Sequence, residues 1–183
     1  MKRSLILLIS LSATCAFAQA PKTSGTIFLV RHAEKVSDAP DALLSKTGEQ
    51  RATCLAQTLR DARIGAIYVT EVKRTQQTAE PLAKRLGVEP VVVKADDTAA
   101  LASKVRQDPS SKNVLVVGHS DTLPKVLSEL GVAGAPRIGR NEYDLLLLVN
   151  HFEHKPELMT LHYCPSVKKS APSQGTEQMR RMR

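Results

Sequence analysis

Residues 26–35 read TIFLVRHAEK, five strand-forming residues followed at once by an arginine and a histidine. Thr26 to Val30 are apolar or β-branched without alternation, the pattern of a strand buried on both faces. Such a strand belongs in a sheet covered by helices. The point where it stops is the feature to explain, because Arg31 and His32 are polar residues placed where a buried strand ends.

The rest of the chain repeats the pattern. AIYVT (66–70), PVVVK (90–94) and NVLVVG (113–118) read as further strands, and YDLLLLVN (143–150) and ELMTLHY (157–163) as two closing strands joined by the loop around HFEHKP. Between them lie helical segments. Thr47 and Gln50 form a capping box, with Ala52, Leu55, Ala56 and Leu59 at helical spacing, which predicts a helix over 47–63. RTQQTAEPLAKRLG (74–87) is a second helix stopped by Gly87, with Pro81 implying a kink or a late start. DTAALASKVRQ (97–107) and DTLPKVLSELG (121–131) complete the set. Strands alternating with helices require right-handed crossovers. The expected fold is α/β: a three-layer sandwich with a mainly parallel central sheet flanked by helices.

The ends differ from this body. The opening MKRSLILLISLSATCAFAQA has the basic start, short apolar run and small residues of a secretory signal, with cleavage expected after Ala18. The expected divisions are a signal peptide at 1–18, a domain at 25–164 and a basic tail at 165–183, the tail poor in large apolar residues and expected to be disordered. The reading expects an exported protein, periplasmic or secreted. No stable membrane anchor is expected, because the apolar run is far short of the ~20 residues of a membrane-spanning helix, and Cys15 lacks the leucine three positions ahead that a lipid-modified cysteine requires.

Net charge is +8, of which the signal carries two and the tail a net four, leaving +2 on the body from Gln19 to Cys164. That body is not a nucleic-acid-binding surface by charge. Cys54, on a predicted helix, and Cys164, ending a predicted strand, survive signal removal. One disulfide is possible in an oxidising compartment, but two separate buried thiols are the plainer expectation.

In α/β sheets, ligands bind beyond the carboxyl ends of the strands. Arg31 and His32 follow the first strand, Arg74 follows the second and His119 follows the fourth. One arginine at one strand end is ordinary surface charge. Two arginines and two histidines delivered to one edge point to an oxyanion, because guanidinium forks match phosphoryl oxygens. Helices expected just after Arg74 and His119 would add free N–H groups. His32, with one ring nitrogen held by a carbonyl, could attack phosphorus through the other. Arg31, Arg74 and His119 would spread the charge of the transferring group, so no metal or other cofactor is expected.

LVRHAEK (29–35) resembles the signature of the histidine phosphatase superfamily, the phosphoglycerate mutase-like enzymes. LSKTGEQRA (44–52) is similar to the family's first-helix segment, YVTEVKRTQQTA (68–79) to its second-arginine segment and VVGHSDT (116–122) to the segment with its second histidine. The resemblance implies that His32 is the phosphorylated nucleophile and that Arg31, Arg74 and His119 bind the phosphoryl group of a small phosphorylated substrate. Relatives often carry a glutamate acid in a longer segment, shortened here to VEPVVVKADD (88–97). The candidate proton donors are Glu71 and Asp121, which must lie close to motif residues, ahead of Asp96 and Asp97. A cap or a solvated carboxylate is the plain reading of each. The chain shows none of the inserted segments with which a mutase closes over its intermediate, so hydrolysis is expected over phosphoglycerate mutase-type transfer.

Three other readings compete. GHSDT (118–122) approximates a nucleophile elbow that would make Ser120 an esterase nucleophile, but Thr122 replaces the final glycine and Arg31, His32 and Arg74 are left unexplained. A binder of phosphorylated ligands without turnover would more often have lost one of the four residues. His151, Glu153 and His154 could chelate a cation, though a solvated loop is the simpler expectation. His162 reads as a strand residue, Arg137 and Arg140 as a loop that could reach over the pocket, and Tyr143 equally as core or substrate contact. The residues name neither substrate nor oligomeric state.

Overall fold

The computed structural model describes residues 25–110, 112–150 and 155–165. The signal-like segment, the stretch beyond Pro165 and the candidate chelators His151, Glu153 and His154 lie outside these residues.

Strands β1 (Thr26–Arg31), β2 (Ile64–Thr70), β3 (Val91–Val93) and β4 (Asn113–Gly118) alternate with helices α1 (Lys46–Thr58), α2 (Lys73–Leu86) and α3 (Thr98–Arg106), and α4 (Leu123–Glu129) follows β4. Strands β5 (Leu145–Asn150) and β6 (Glu157–His162) close the chain. The six strands lie in one sheet in the order β3-β2-β4-β1-β5-β6. The first four are mutually parallel, whereas β5 runs antiparallel to β1 and β6 antiparallel to β5. The first four strands are linked through crossover helices, and the short β5–β6 connection can join its strands only antiparallel.

The sheet is covered on both faces. Leu29, Tyr68, Val116 and Leu147 pack with Leu101, Val105 and Leu127 of α3 and α4 on one side. Val30, Ile67, Val117 and Leu146 pack with Leu55, Leu59 and Leu82 around α1 and α2 on the other. Leu29, Val30, Val116 and Val117 are fully buried, as the unbroken apolar runs require, and each such side chain contributes about 1.5–3 kcal/mol.

Three local expectations need correction. Helix α1 is capped by Ser45, whose Oγ accepts the Gly48 N–H, rather than by a box at Thr47. It ends at Thr58, not 63, because the chain reverses at Arg63 with φ of 52° before β2 begins. Helix α2 starts at Lys73 and passes through Pro81 without a late start; proline removes one intrahelical donor there. Gly87, at φ of 65°, ends α2 as expected.

The cysteines are not separate thiols. Cys54 of α1 and Cys164, just past β6, form a disulfide with Cα atoms 6.3 Å apart and 110 residues of separation. Sequence spacing alone does not show that the end of the last strand lies over the first helix.

Candidate active site

Register brings the strand ends together. Arg31 pairs with Gly118 across the β1–β4 ladder, and the His32 N–H donates to the Gly118 carbonyl at 2.9 Å. His119 is the next residue. On the other flank of β4, Val69 pairs with Val117, so Thr70 ends β2 at the same level. Helix α2 then begins at Lys73, and Arg74 stands in its first turn. Three strand ends and one helix start thus deliver Arg31, His32, Arg74 and His119 to one place.

The four residues meet. The His32 and His119 rings have centroids 5.4 Å apart, and Arg74 Nη2 lies 3.4 Å from His119 Nδ1. The Tyr143 ring lies 4.2 Å from Arg31 Cζ and 6.0 Å from the His32 ring centroid, so Tyr143 belongs to the site and not to a distant core. Arg31 Nη1 donates to the Gly139 and Arg140 carbonyls at 2.8 Å each and to Glu142 at 3.4 Å. Arg74 Nη1 donates to the Pro40 carbonyl at 2.6 Å. The Nε donors of both arginines are buried without a partner. Among the described residues, neither guanidinium forms an ion pair with a carboxylate.

Burial, together with the neighbouring guanidiniums, governs the imidazoles. Burial, reinforced by Arg74 and Arg31, pulls His32 down to about 3, against an opposing hydrogen bond to Ala33. Burial and Arg74 pull His119 down to about 4, with Asp121 and Glu71 opposing. Both rings are therefore neutral near pH 7. His32 Nδ1 lies 2.8 Å from the Ala33 carbonyl. A carbonyl can only accept, so Nδ1 carries the proton and Nε2 holds a free lone pair.

The loop after His32 is braced by residues whose types and spacing alone suggest no role. The Ala33 N–H donates to Thr78 Oγ1 at 2.9 Å, and that hydroxyl donates to the Arg74 carbonyl at 2.7 Å. Glu34 receives Arg51 through Nε at 2.9 Å and Nη2 at 2.7 Å, while Arg51 Nη1 donates to the Cys164 carbonyl at 2.9 Å. Arg51 is 6% exposed, a buried cation within α1. Thr75 and Thr78 inside a helix, where threonine is a poor helix former, were the available signal for such bracing.

The candidate acids separate. A Glu71 carboxylate oxygen accepts the Ala95 N–H at 2.8 Å, and Asp97 caps α3 by accepting the Ala100 N–H at 3.0 Å. Asp121 is exposed and makes no hydrogen bond among the described residues, yet its charge acts on both Arg31 and His119. Arg140 is exposed and pairs with Asp38 at 2.6 Å, and Arg137 is exposed. His162, also exposed, lies 3.1 Å from Asp144. Ser120 makes no hydrogen bond among the described residues, and both ring nitrogens of His119 are engaged with Arg74 and Thr70. That leaves the elbow reading without a base. A groove of about 720 Å³ along α2, lined by Leu43, Gln76, Glu80 and Val92, contains none of the four convergent residues.

A family model of the histidine phosphatase superfamily, branch 1, matches residues 27–97. The protein named probable phosphoglycerate mutase GpmB of Photorhabdus laumondii subsp. laumondii is 34% identical over 70 residues, covering 34% of this chain and 33% of its own length. The chain thus matches about a third of that relative. The structure of the protein histidine phosphatase SixA complexed with tungstate superposes with a TM-score of 0.63 at 18% identity, over 75% of this chain and 96% of that one. Mycobacterial glucosyl-3-phosphoglycerate phosphatase gives a TM-score of 0.61 at 15% identity, over 78% of this chain and all of the other. At those identities the likeness is one of fold. Over residues 27–97 the chain is thus similar in sequence to the histidine phosphatase superfamily, and its fold is similar to that of solved phosphatases.

Proposed function

We propose that the protein is a phosphatase that hydrolyses a phosphomonoester or phosphoramidate through a phosphohistidine on His32, with no metal or other cofactor. The observation that carries this reading is the pair of guanidiniums without a carboxylate partner, set beside two neutral imidazoles at the strand ends. Two guanidiniums free of carboxylates suit an oxyanion. The phosphoryl group is bound by Arg31, Arg74 and His119, the two guanidiniums neutralising its oxygens. His32 Nε2 donates its lone pair to phosphorus as the bond to the leaving atom breaks. Asp121 gives its proton to that leaving atom and then takes one from water. The water oxygen attacks phosphorus, the P–N bond breaks and phosphate is released. Asp121 is preferred to Glu71 because the latter's carboxylate is already occupied.

The named functions of the neighbouring structures support phosphatase chemistry. The GpmB match favours a second reading, transfer to an acceptor hydroxyl. Release of inorganic phosphate from p-nitrophenyl phosphate and alkyl phosphates, compared with transfer to added phosphoglycerate, separates the two. Loss of turnover in His32→Ala but not in Ser120→Ala is expected; the opposite pattern would overturn the phosphatase reading, and turnover of no ester would favour a binder. Asp121→Asn is expected to lower alkyl phosphate hydrolysis by about 10²-fold or more, with p-nitrophenyl phosphate less affected because its leaving group needs no proton.

We also propose export to an oxidising compartment. The signal-like start and the Cys54–Cys164 bond support it, since disulfides persist there. Cell fractionation and N-terminal sequencing check it, with a mature start after Ala18 expected.

A further inference from the structure

His119 is tied on its inner side to two hydroxyls that the phosphatase reading does not use. Its Nε2 lies 2.9 Å from Thr70 Oγ1, and Thr70 Oγ1 lies 2.9 Å from Thr75 Oγ1. Thr75 Oγ1 in turn lies 2.7 Å from the Val72 carbonyl and 3.0 Å from that of Thr70. Thr70 and Thr75 are 1% and 0% exposed, so water does not complete these contacts.

Proton counting gives the chain a direction. A carbonyl can only accept, so the single Thr75 proton is committed to the carbonyl end. Thr75 Oγ1 must then accept from Thr70, whose only proton is used in turn. Thr70 Oγ1 therefore accepts from His119, which puts a proton on Nε2. The outer side agrees: Arg74 Nη2 can only donate and stands 3.4 Å from Nδ1, a long contact that favours the bare nitrogen there without fixing it.

We infer that Thr70 and Thr75 are positioning residues that hold His119 as the Nε2–H tautomer, leaving Nδ1 bare toward the phosphoryl site. The consequence for chemistry rests on the phosphatase reading above. A bare Nδ1 cannot donate to an incoming oxyanion until it takes a proton, from solvent or from a monoanionic ester. Once it does, the imidazolium binds phosphoryl oxygen through Nδ1–H while Nε2–H keeps its acceptor in Thr70. The groups facing His119 set the balance: Arg74 and Arg31 oppose its charge, Asp121 and Glu71 favour it, and His32 is neutral. An arriving anion tips that balance toward protonation. Without the Thr70 hydroxyl, the neutral ring can escape to the other tautomer, but the imidazolium would bury an N–H with no acceptor.

Nitrogen-15 NMR of the free protein reads the tautomer without any turnover. The expected result is the Nε2–H form of His119 at neutral pH, kept in Thr70→Ser and shifted toward Nδ1–H in Thr70→Val. Amide spectra confirm that each variant is folded. An Nδ1–H form in the wild type, or an unchanged tautomer in folded Thr70→Val, would overturn the inference. In turnover of p-nitrophenyl phosphate, Thr70→Val is expected to lose about 10- to 100-fold in kcat/KM near pH 7, the loss narrowing as pH falls, while Thr70→Ser stays within about threefold. A loss equal at every pH would also overturn it. If the wild type hydrolyses no phosphate ester, the phosphatase reading fails while the tautomer measurement still decides the relay.

Discussion

His32 and His119 are kept neutral by the same two causes, burial and the adjacent guanidiniums, but the proposed reaction sets them opposite tasks. In that proposal His32 presents a lone pair, and with its imidazole pulled down to about 3 mild acid does not protonate it. His119 is proposed to accept a proton when an anion arrives, with Asp121 and Glu71 favouring the charged ring. Both imidazoles bind a proton less well folded than unfolded. The unfolded chain therefore holds more protons below its ordinary histidine value of about 6.5, and stability from these two groups is present above that pH and lost as pH falls toward the folded values. Melting temperature followed from pH 7 to pH 4.5 is expected to fall in the wild type and to fall less in His32→Asn and His119→Asn. Equal slopes in all three would show that the rings are not held neutral. At this scale the four convergent residues were legible because their types and their places after strands are written in the chain. The hydroxyls of Thr70, Thr75 and Thr78 were not, because their roles depend on partners supplied by other elements.

Helix α1 holds the loop after His32 through contacts that leave no room for change. A Cβ at Gly48 would stand 2.2 Å from the Glu34 carbonyl oxygen, so the helix start and the loop after His32 are in backbone contact. Gly48→Ala is expected to destabilise by about 1–3 kcal/mol, read by chemical denaturation, and to lower kcat as the loop shifts. Removing Arg51 leaves Glu34, whose side chain is 20% exposed, without its partner. Arg51→Met is expected to cost up to about 3–5 kcal/mol, at the lower end because Glu34 retains some solvent. The joint variant Arg51→Met with Glu34→Gln is expected to recover part of that loss; a double variant as unstable as the sum of the two single changes would contradict this coupling. The elements themselves were legible from periodicity, and the errors fell at their ends. The cap at Ser45 and the reversal at Arg63 depend on where the chain must turn, which hydrophobic spacing does not encode.

Across the whole molecule, the four-stranded parallel part of the sheet builds the site and the β5–β6 hairpin closes the edge beside β1. The disulfide joins the two ends of this plan by tying Cys164, two residues past β6, to α1 across 110 residues. Because it constrains so long a loop, Cys54→Ser is expected to cost about 2–5 kcal/mol, lowering the melting temperature by about 5–15 °C, while the quartet stays assembled and kcat at low temperature changes little. The alternation of strands and helices made the sandwich readable, whereas the pairing of Cys54 with Cys164 became visible only once β6 was placed. The central claim is that His32 carries the phosphoryl group, and rapid quenching during turnover of labelled p-nitrophenyl phosphate, followed by peptide mass spectrometry, tests it most directly. An acid-labile, alkali-stable phosphate on His32 that is absent from His32→Ala is expected, whereas undiminished turnover in His32→Ala with no covalent species in the wild type would contradict the claim.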